Sequence, residues 1–259
     1  MDTADLPSPS PPVCHVDGPI ATLSLNRPAV HNRLEPGDIV ALREMLARID
    51  DDPAVRVLVL CGSGPTFCSG YDLNAFGTGP RDPLSDFQGL TDAVERCRAV
   101  TIARLGGPAY GGGTDLALAC DFRYGADTTR MFMPAVRFGL QFYPNGLRRW
   151  VTRLGLQAAK RLFLTGETID AATMHRIGFL DEVLPGHALA DAVDRLAATL
   201  AAMPPRALEG TKRMLDDIAR QQYDEALGRE LYRASLASDD HREALAARAD
   251  KRPPHFTGT

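Results

Sequence analysis

The stretch GPAYGGGTDLALACDFRYG, residues 107–125, contains the arrangement that decides the fold of this chain. The apolar run 100–105 before it predicts a strand, residues 114–120 predict an apolar helix, and 122–125 predict another strand. The three glycines at 111–113 lie between strand and helix, so a ligand can approach their main chain where the first helical N–H groups have no acceptor. The helix dipole adds positive potential there. Close packing of the helix on the sheet would also explain these glycines.

A second glycine-rich turn, GSGPTFCSGYDL at 62–73, follows the apolar run VRVLVL at 55–60. That run alternates little and is rich in β-branched residues and leucine, which indicates a strand covered on both faces. The turn is polar yet carries Phe67, Tyr71 and Leu73, and such loops usually lie on or near a site. An N–H from SGYDL that points at the same oxygen as an N–H from the three glycines would stabilise a developing oxyanion.

The flanking patterns indicate an α/β core with a helical C-terminal portion. Residues 20–25 alternate apolar and small polar side chains, as a half-buried strand does. Apolar positions at helical spacing over 36–49 predict a helix that joins this strand to the run at 55–60. The resulting βαβ unit implies a parallel sheet. From residue 147 onward alanine, leucine and arginine dominate, and we expect nearly everything there to be helical.

Composition excludes several classes of function. The 259 residues carry a formal net charge of −4, which removes the broad positive surface of a nucleic-acid-binding protein. No apolar run approaches the roughly 20 residues of a membrane-spanning helix, and the acidic start does not resemble a signal peptide. We therefore expect a cytoplasmic protein without membrane contact. Five cysteines without a CxxC pair and six scattered histidines indicate neither disulfides nor a metal site. Motifs for ATP, NAD or serine-hydrolase chemistry are absent.

Several segments together carry a resemblance to a known family. They are LSLNRPAVHN, GPTFCSGYDL, GPAYGGGTDLALACDFRYG, LTGETIDAATMHRIGFLDEV and HREALAARADKRPPHFTG, in this order. From Val13 onward the chain resembles the enoyl-CoA hydratase/isomerase (crotonase) superfamily. The resemblance implies a spiral core of ββα turns, a helical region that drives trimer formation, and often dimers of trimers. It implies an acyl-CoA substrate, coenzyme A being part of that substrate, with no permanently bound cofactor. The expected divisions are a flexible lead-in over 1–12, the spiral core over 13–195 and a helical oligomerisation region over 196–259.

The resemblance also assigns roles to particular residues. It places the oxyanion-binding backbone N–H groups at Tyr71 and at Gly112, the middle glycine of the three. Family hydratases carry one glutamate two residues after the glycines and a second directly after a downstream proline. Asp115 and Ala135 occupy these positions here, so the second acid is missing. Tyr143 falls where related isomerases and dehalogenases place a working aspartate. We expect Asp115, with Tyr143, to move a proton near Cα or Cβ, although an acid in the first helical turn is also stabilised without chemistry.

The other expected substrate contacts lie in the loops around these turns, and Trp150 is expected to pack between helices. The expected contacts are Arg33, Ser69, Asp72, Leu73, Gly111, Ala135, Arg137, Gln141 and Asn145. The resemblance favours enoyl-CoA hydration or double-bond isomerisation. Because the second acid is missing, thioester hydrolysis, decarboxylation or C–C cleavage stays open, as does a CoA-ester-binding protein without chemistry.

Overall fold

The computed structural model describes residues 10–72 and 83–259. Its strands are β1 (Val13–Asp17), β2 (Ile20–Leu25), β3 (Val57–Gly62), β4 (Val100–Leu105), β5 (Ala109–Tyr110), β6 (Phe122–Ala126), β7 (Arg130–Phe132), β8 (Ile169–Asp170) and β9 (Glu182–Leu184). Its helices are α1 (Pro36–Asp51), α2 (Pro83–Arg96), α3 (Gly112–Ala119), α4 (Pro144–Leu154), α5 (Leu156–Thr165), α6 (Ala171–Arg176), α7 (Gly186–Ala201), α8 (Pro205–Ala219), α9 (Glu225–Ala237) and α10 (Asp239–Asp250).

The main sheet has the strand order β1-β2-β3-β4-β6-β9 and is parallel except for the β1–β2 pair. Strands β5, β7 and β8 form a smaller sheet beside it. The predicted βαβ unit is confirmed, since β2 and β3 pair in parallel and α1 connects them. The strand predicted over 55–60 is shifted to Val57–Gly62, because its pairing with β2 continues through Gly62.

Both faces of the main sheet are covered, as the low alternation of β3 predicts. Val57 and Val59 pack with Leu189 and Val193 of α7 on one face. Leu58 and Leu60 belong to the larger core on the other face, which α1, α2 and α3 cover. The first glycine-rich turn therefore emerges at the carboxyl end of the buried parallel strand β3, where ligands bind in open α/β sheets, while the three glycines at 111–113 follow β5 of the smaller sheet.

The chain after residue 147 is nearly all helical, as expected, apart from two short strands that were not predicted. Strand β8 pairs with β7, and β9 extends the edge of the main sheet by pairing with β6. Strands of two and three residues are too short to show a periodicity of their own, so only the neighbouring strand defines them. The expected division of the chain stays a prediction; residue 196 lies inside α7.

Helix α8 contacts α2, α9 packs against α8 and α10, and these last helices leave apolar side chains exposed. Leu215, Ile218 and Tyr232 are more than half exposed. The tail after α10 folds back: the side chain of Arg56 donates to the carbonyl of Phe256 (3.2 Å). None of the helices within the described ranges combines the length and apolarity needed to cross a bilayer.

Candidate active site

The first glycine-rich turn lies against the loop that follows β2. Leu34 N–H donates to Gly70 O (2.8 Å) and Asp72 N–H donates to Leu34 O (2.9 Å), which forms a parallel bridge between Leu34 and Tyr71. In this pattern the bonds to Leu34 come from the neighbours of Tyr71, so the N–H of Tyr71 itself points away from Leu34. Gly70 has a φ of +89°, which favours glycine at this bend.

The second turn leads directly into α3. Gly111 N–H donates to Phe132 O (3.0 Å), and Gly111 O accepts from Thr114 N–H (3.0 Å). Helix α3 begins at Gly112, two residues earlier than predicted. As the first helical residue, Gly112 has no acceptor for its N–H inside the helix. Among the described residues this N–H donates to no other main-chain atom.

The two turns touch each other through backbone atoms. A Cβ at Gly70 would lie 2.8 Å from the nitrogen of Gly112 and 3.1 Å from the carbonyl oxygen of Tyr110. A Cβ at Gly113 would lie 2.4 Å from the carbonyl oxygen of Cys68. Only glycine permits this close approach of the two backbones. The structure thus brings the two predicted oxyanion donors into adjoining segments.

The Asp115 carboxylate is fully buried and accepts hydrogen bonds from three side chains. Its Oδ2 accepts from Arg149 Nη1 (2.5 Å) and from the Tyr143 hydroxyl (2.5 Å), and its Oδ1 accepts from Trp150 Nε1 (3.1 Å). Asp115 has no exposed surface. Both carboxylate oxygens therefore accept hydrogen bonds, and one of the donors is the cationic guanidinium of Arg149.

Arg149 connects Asp115 to two acids of α2. Its guanidinium contacts Asp92 Oδ1 (3.0 Å) and Glu95 Oε1 (3.1 Å) as well as Asp115. Burial alone would lower the pKa of Arg149, but the carboxylates of Asp115 and Glu95 outweigh burial and raise it. For Glu95, burial acts in the other direction and raises the pKa, but Arg149 and Arg148 outweigh burial and hold that pKa at about 2. This buried charge network fixes α2, α3 and α4 against one another.

Tyr143 lies at the start of α4 among aromatic rings. Its ring stacks on Phe142 with a centroid separation of 4.1 Å and lies 6.3 Å from the ring of Phe87. Burial, followed by the charge of Asp115, raises the pKa of Tyr143 well above its ordinary value. The hydroxyl therefore stays protonated near neutral pH and donates to Asp115. Burial also raises the pKa of the neighbouring turn's Cys68 thiol to about 12, so it is no nucleophile at neutral pH.

The whole chain, and not only the two touching glycine turns, matches a known family along almost all of its length. The family described as Enoyl-CoA hydratase/isomerase matches residues 16–259. The chain belongs to the enoyl-CoA hydratase/isomerase family. The resemblance inferred from the motifs is confirmed.

Relatives within the enoyl-CoA hydratase/isomerase family align along most of both chains. An enoyl-CoA isomerase/hydratase, fer4, from Mycosarcoma maydis is 34% identical over 251 residues, covering 91% of this chain and 92% of the relative. A probable enoyl-CoA hydratase, echA8, from Mycobacterium tuberculosis is 30% identical over 245 residues, covering 93% and 95%.

Solved structures of the family confirm the predicted fold. An enoyl-CoA hydratase from Bacillus anthracis superposes with a TM-score of 0.90 at 27% identity, covering 96% of this chain and 100% of that one. A putative enoyl-CoA hydratase from Streptomyces coelicolor superposes with a TM-score of 0.87 at 32% identity, covering 100% and 98%. The chain therefore has the α/β fold of the crotonase superfamily.

Four predicted substrate contacts, which include the alanine in place of the second family acid, differ in their surroundings. Ala135 lies in a 3-10 turn, Ala135–Phe138, and offers no polar side-chain atom. Arg137 is exposed and donates to the carbonyl of Thr165 (3.2 Å), while Gln141 is exposed. Asn145 donates to Asp92 Oδ2 (2.6 Å) and so joins the charge network. Their substrate contacts stay predictions.

The remaining predicted contacts surround the first turn. Arg33 lies 3.5 Å from Glu35 Oε1 and 3.5 Å from Asp72 Oδ2. Ser69 is fixed through its backbone, since its N–H donates to His31 O (3.0 Å). Leu73 lies outside the described residues. Within the described ranges no group of three or more histidine, cysteine or acidic side chains is placed to hold a metal ion.

Sequence reasoning missed the charge network. Asp92 and Glu95 are spaced by three residues on α2, which is also the spacing of an ordinary solvated helix face. Arg149 falls in an arginine-containing helix and gives no local sign that it is buried. The only available signal was the repeated arginines of α4 opposite two acids of α2. Trp150 packs against Phe163 and Phe179 as expected, but it also donates to Asp115.

Proposed function

We propose that the protein binds an acyl-CoA thioester with its carbonyl oxygen between the N–H groups of Tyr71 and Gly112, and processes it through an enolate-like state. The observation that supports this most directly is the contact of the two turns at Gly70 and Gly112. Coenzyme A enters as part of the substrate, and no other cofactor is proposed.

The chemistry of such a site comes from the main chain. Two N–H donors that meet one thioester oxygen stabilise the negative charge that develops when a proton or a carbon substituent leaves Cα. In comparable sites each donor lowers the barrier by about 3 kcal/mol. Gly112 adds the dipole of α3, whose positive end lies at the same place.

Proton transfer in this proposal centres on Tyr143, whose hydroxyl is held by Asp115. Tyr143 carries a proton at neutral pH, and its ring lies 6.3 Å from that of Phe87, which contacts Gly112. Asp115 holds the Tyr143 hydroxyl by a hydrogen bond of 2.5 Å. The hydroxyl is suited to give a proton to an enolate carbon, and Asp115 with Arg149 is suited to orient it.

Enoyl-CoA hydration or double-bond isomerisation is the first reaction to test, because it is the activity named for the relatives. The assay is loss of the conjugated-thioester absorbance of crotonyl-CoA. Turnover that falls in Tyr143→Phe while butyryl-CoA binding persists supports the proposal. Failure of every CoA ester to bind would overturn it. Binding of a broad acyl panel with no turnover would instead make this a CoA-ester-binding protein without chemistry.

A second candidate reaction is decarboxylation of an acyl-CoA that carries a carboxylate on Cα. It is favoured by Ala135 and by the three donors on Asp115, which leave this site poor in general bases. In that reaction the Cα–carboxylate bond breaks, its electron pair forms the thioester enolate, and Tyr143 protonates Cα. Carbon dioxide leaves, and solvent returns the proton to Tyr143. Malonyl-CoA and methylmalonyl-CoA with detection of released carbon dioxide test it.

We further propose a cytoplasmic homotrimer or dimer of trimers, assembled through the C-terminal helices. The exposed Leu215, Ile218 and Tyr232 supply apolar surface of the kind that interfaces bury. Light scattering coupled to size-exclusion chromatography measures the mass directly. A monomer at micromolar concentration would contradict this assembly.

A further inference from the structure

One phenylalanine of α2 lies directly against the glycine that starts α3. A Cβ at Gly112 would lie 2.6 Å from Cζ, 2.8 Å from Cε1 and 3.2 Å from Cε2 of Phe87. Phe87 is only 2% exposed. Its ring therefore occupies the space next to one of the two proposed oxyanion donors, on the side where a side chain at Gly112 would project.

The Phe87 ring also lies near the rings of two residues of the proposed site, Tyr71 and Tyr143. Its ring centroid lies 6.3 Å from that of Tyr71, edge-on at 89°, and 6.3 Å from that of Tyr143 at 49°. Behind Tyr143 the aromatic packing continues through Phe142, which lies 5.2 Å from Phe163. Phe87 thus joins Tyr71 to Tyr143 within a continuous set of packed rings.

In the proposed binding mode the acyl group of the thioester runs along this set of rings. A carbonyl oxygen accepting from Gly112 N–H lies about 2.9 Å from that nitrogen. The proton that Tyr143 handles belongs to Cα or Cβ, so these carbons lie between Gly112 and Tyr143. Phe87 contacts Gly112 and neighbours Tyr143, so it meets the acyl chain within its first carbons.

We propose that Phe87 is a specificity-determining residue that restricts the substrate to short acyl chains. This inference rests on the proposed function, because it takes the carbonyl position from the Tyr71 and Gly112 amides. A longer chain must displace a ring that is packed on several sides, and close-packed interiors resist such displacement. Removing the ring opens a space lined by apolar groups, in which each further methylene improves binding about fourfold.

The test measures binding of non-reacting saturated thioesters by calorimetry, so it does not depend on the reaction. Acetyl-, butyryl-, hexanoyl- and octanoyl-CoA are titrated into the wild-type protein, Phe87→Ala and Phe87→Leu. Phe163→Ala and Phe163→Leu are the matched controls, since Phe163 is buried in the same aromatic set one ring removed from Tyr143. Phe87→Leu preserves most of the packing if Phe87→Ala does not fold.

The expected result is that the wild-type protein binds butyryl-CoA more tightly than acetyl-CoA and binds octanoyl-CoA more weakly than butyryl-CoA. The ratio of octanoyl- to butyryl-CoA affinity should rise at least tenfold in Phe87→Ala, less in Phe87→Leu, and stay within threefold of wild type in the Phe163 variants. An unchanged ratio in a folded Phe87 variant overturns the inference and leaves the proposed function intact. If no acyl-CoA binds the wild-type protein, both are overturned.

Discussion

Replacing Asp115 by asparagine should destabilise the fold more than it alters the chemistry. The isosteric change removes the charge that Arg149 and Tyr143 share at Oδ2 and puts an amide donor or a weaker acceptor opposite them. Removing one partner of a buried ion pair costs about 3–5 kcal/mol. Arg149 keeps Asp92 and Glu95 as partners, which places the expected loss at the lower end, about 3 kcal/mol.

Thermal unfolding of wild type and Asp115→Asn, followed by circular dichroism, measures this loss. For a chain of this size about 3 kcal/mol corresponds to roughly 6–12 °C in Tm. Asp250→Asn is the matched control, because its carboxylate is 66% exposed and lies 3.5 Å from Arg252. An exposed pair of this kind contributes about 0–1 kcal/mol, so Tm should hardly move. A variant at Asp115 with wild-type Tm and no turnover would refute the reasoning and make the carboxylate a catalytic group.

Three further predictions follow from the same contacts. The pKa of Glu95, depressed from 4.5 to about 2, means that its stabilising contribution is complete above pH 4.5 and is lost as the pH falls toward 2. Urea unfolding at pH 3 and pH 7 should therefore differ less in Glu95→Gln. Gly112→Ala should cost about 1–3 kcal/mol by overpacking against Phe87, and Phe87→Ala in the same chain should recover part of it. Tyr143→Phe should lower turnover about 10²- to 10⁴-fold with little change in thioester affinity.

Each of these has a result that contradicts it. If Glu95→Gln loses as much stability between pH 7 and pH 3 as the wild type does, other acids cause the pH dependence. If the stability losses of Gly112→Ala and Phe87→Ala simply add in the double variant, overpacking against Phe87 does not cause the loss in Gly112→Ala. Gly113→Ala is the control for that pair, because its Cβ meets the carbonyl oxygen of Cys68 at 2.4 Å and no side-chain truncation can relieve it. Full turnover in Tyr143→Phe would remove Tyr143 from proton transfer.

The turns and the strands that lead into them could be predicted because their signals are local. The strand predicted over 100–105 is β4, although the unpredicted β5 lies between it and the glycines that begin α3. The family's motif positions then placed Tyr71 and Gly112 in adjoining segments, as the structure has them. Backbone geometry that depends on glycine leaves a clear trace in a sequence.

The surroundings of Asp115 could not be predicted, because they depend on residues far apart in the chain. Arg149 reaches Asp115 across 34 positions and Glu95 across 54. A buried guanidinium and an exposed one look alike in a helix of mixed polarity, and only tertiary packing separates them. The same reason explains why β9 was missed: its three residues become a strand only by pairing with β6.

Because the proposed donors at Tyr71 and Gly112 are peptide groups, their chemistry is independent of the side chain at the first of them. Most replacements of Tyr71 would keep its N–H, whereas proline would delete it. Side chains around the thioester can therefore be replaced while the two backbone N–H groups that polarise its carbonyl stay in place. A library randomised at Tyr71 and Ala135 should be tolerant of change and is a practical starting point for directing this scaffold toward new reactions.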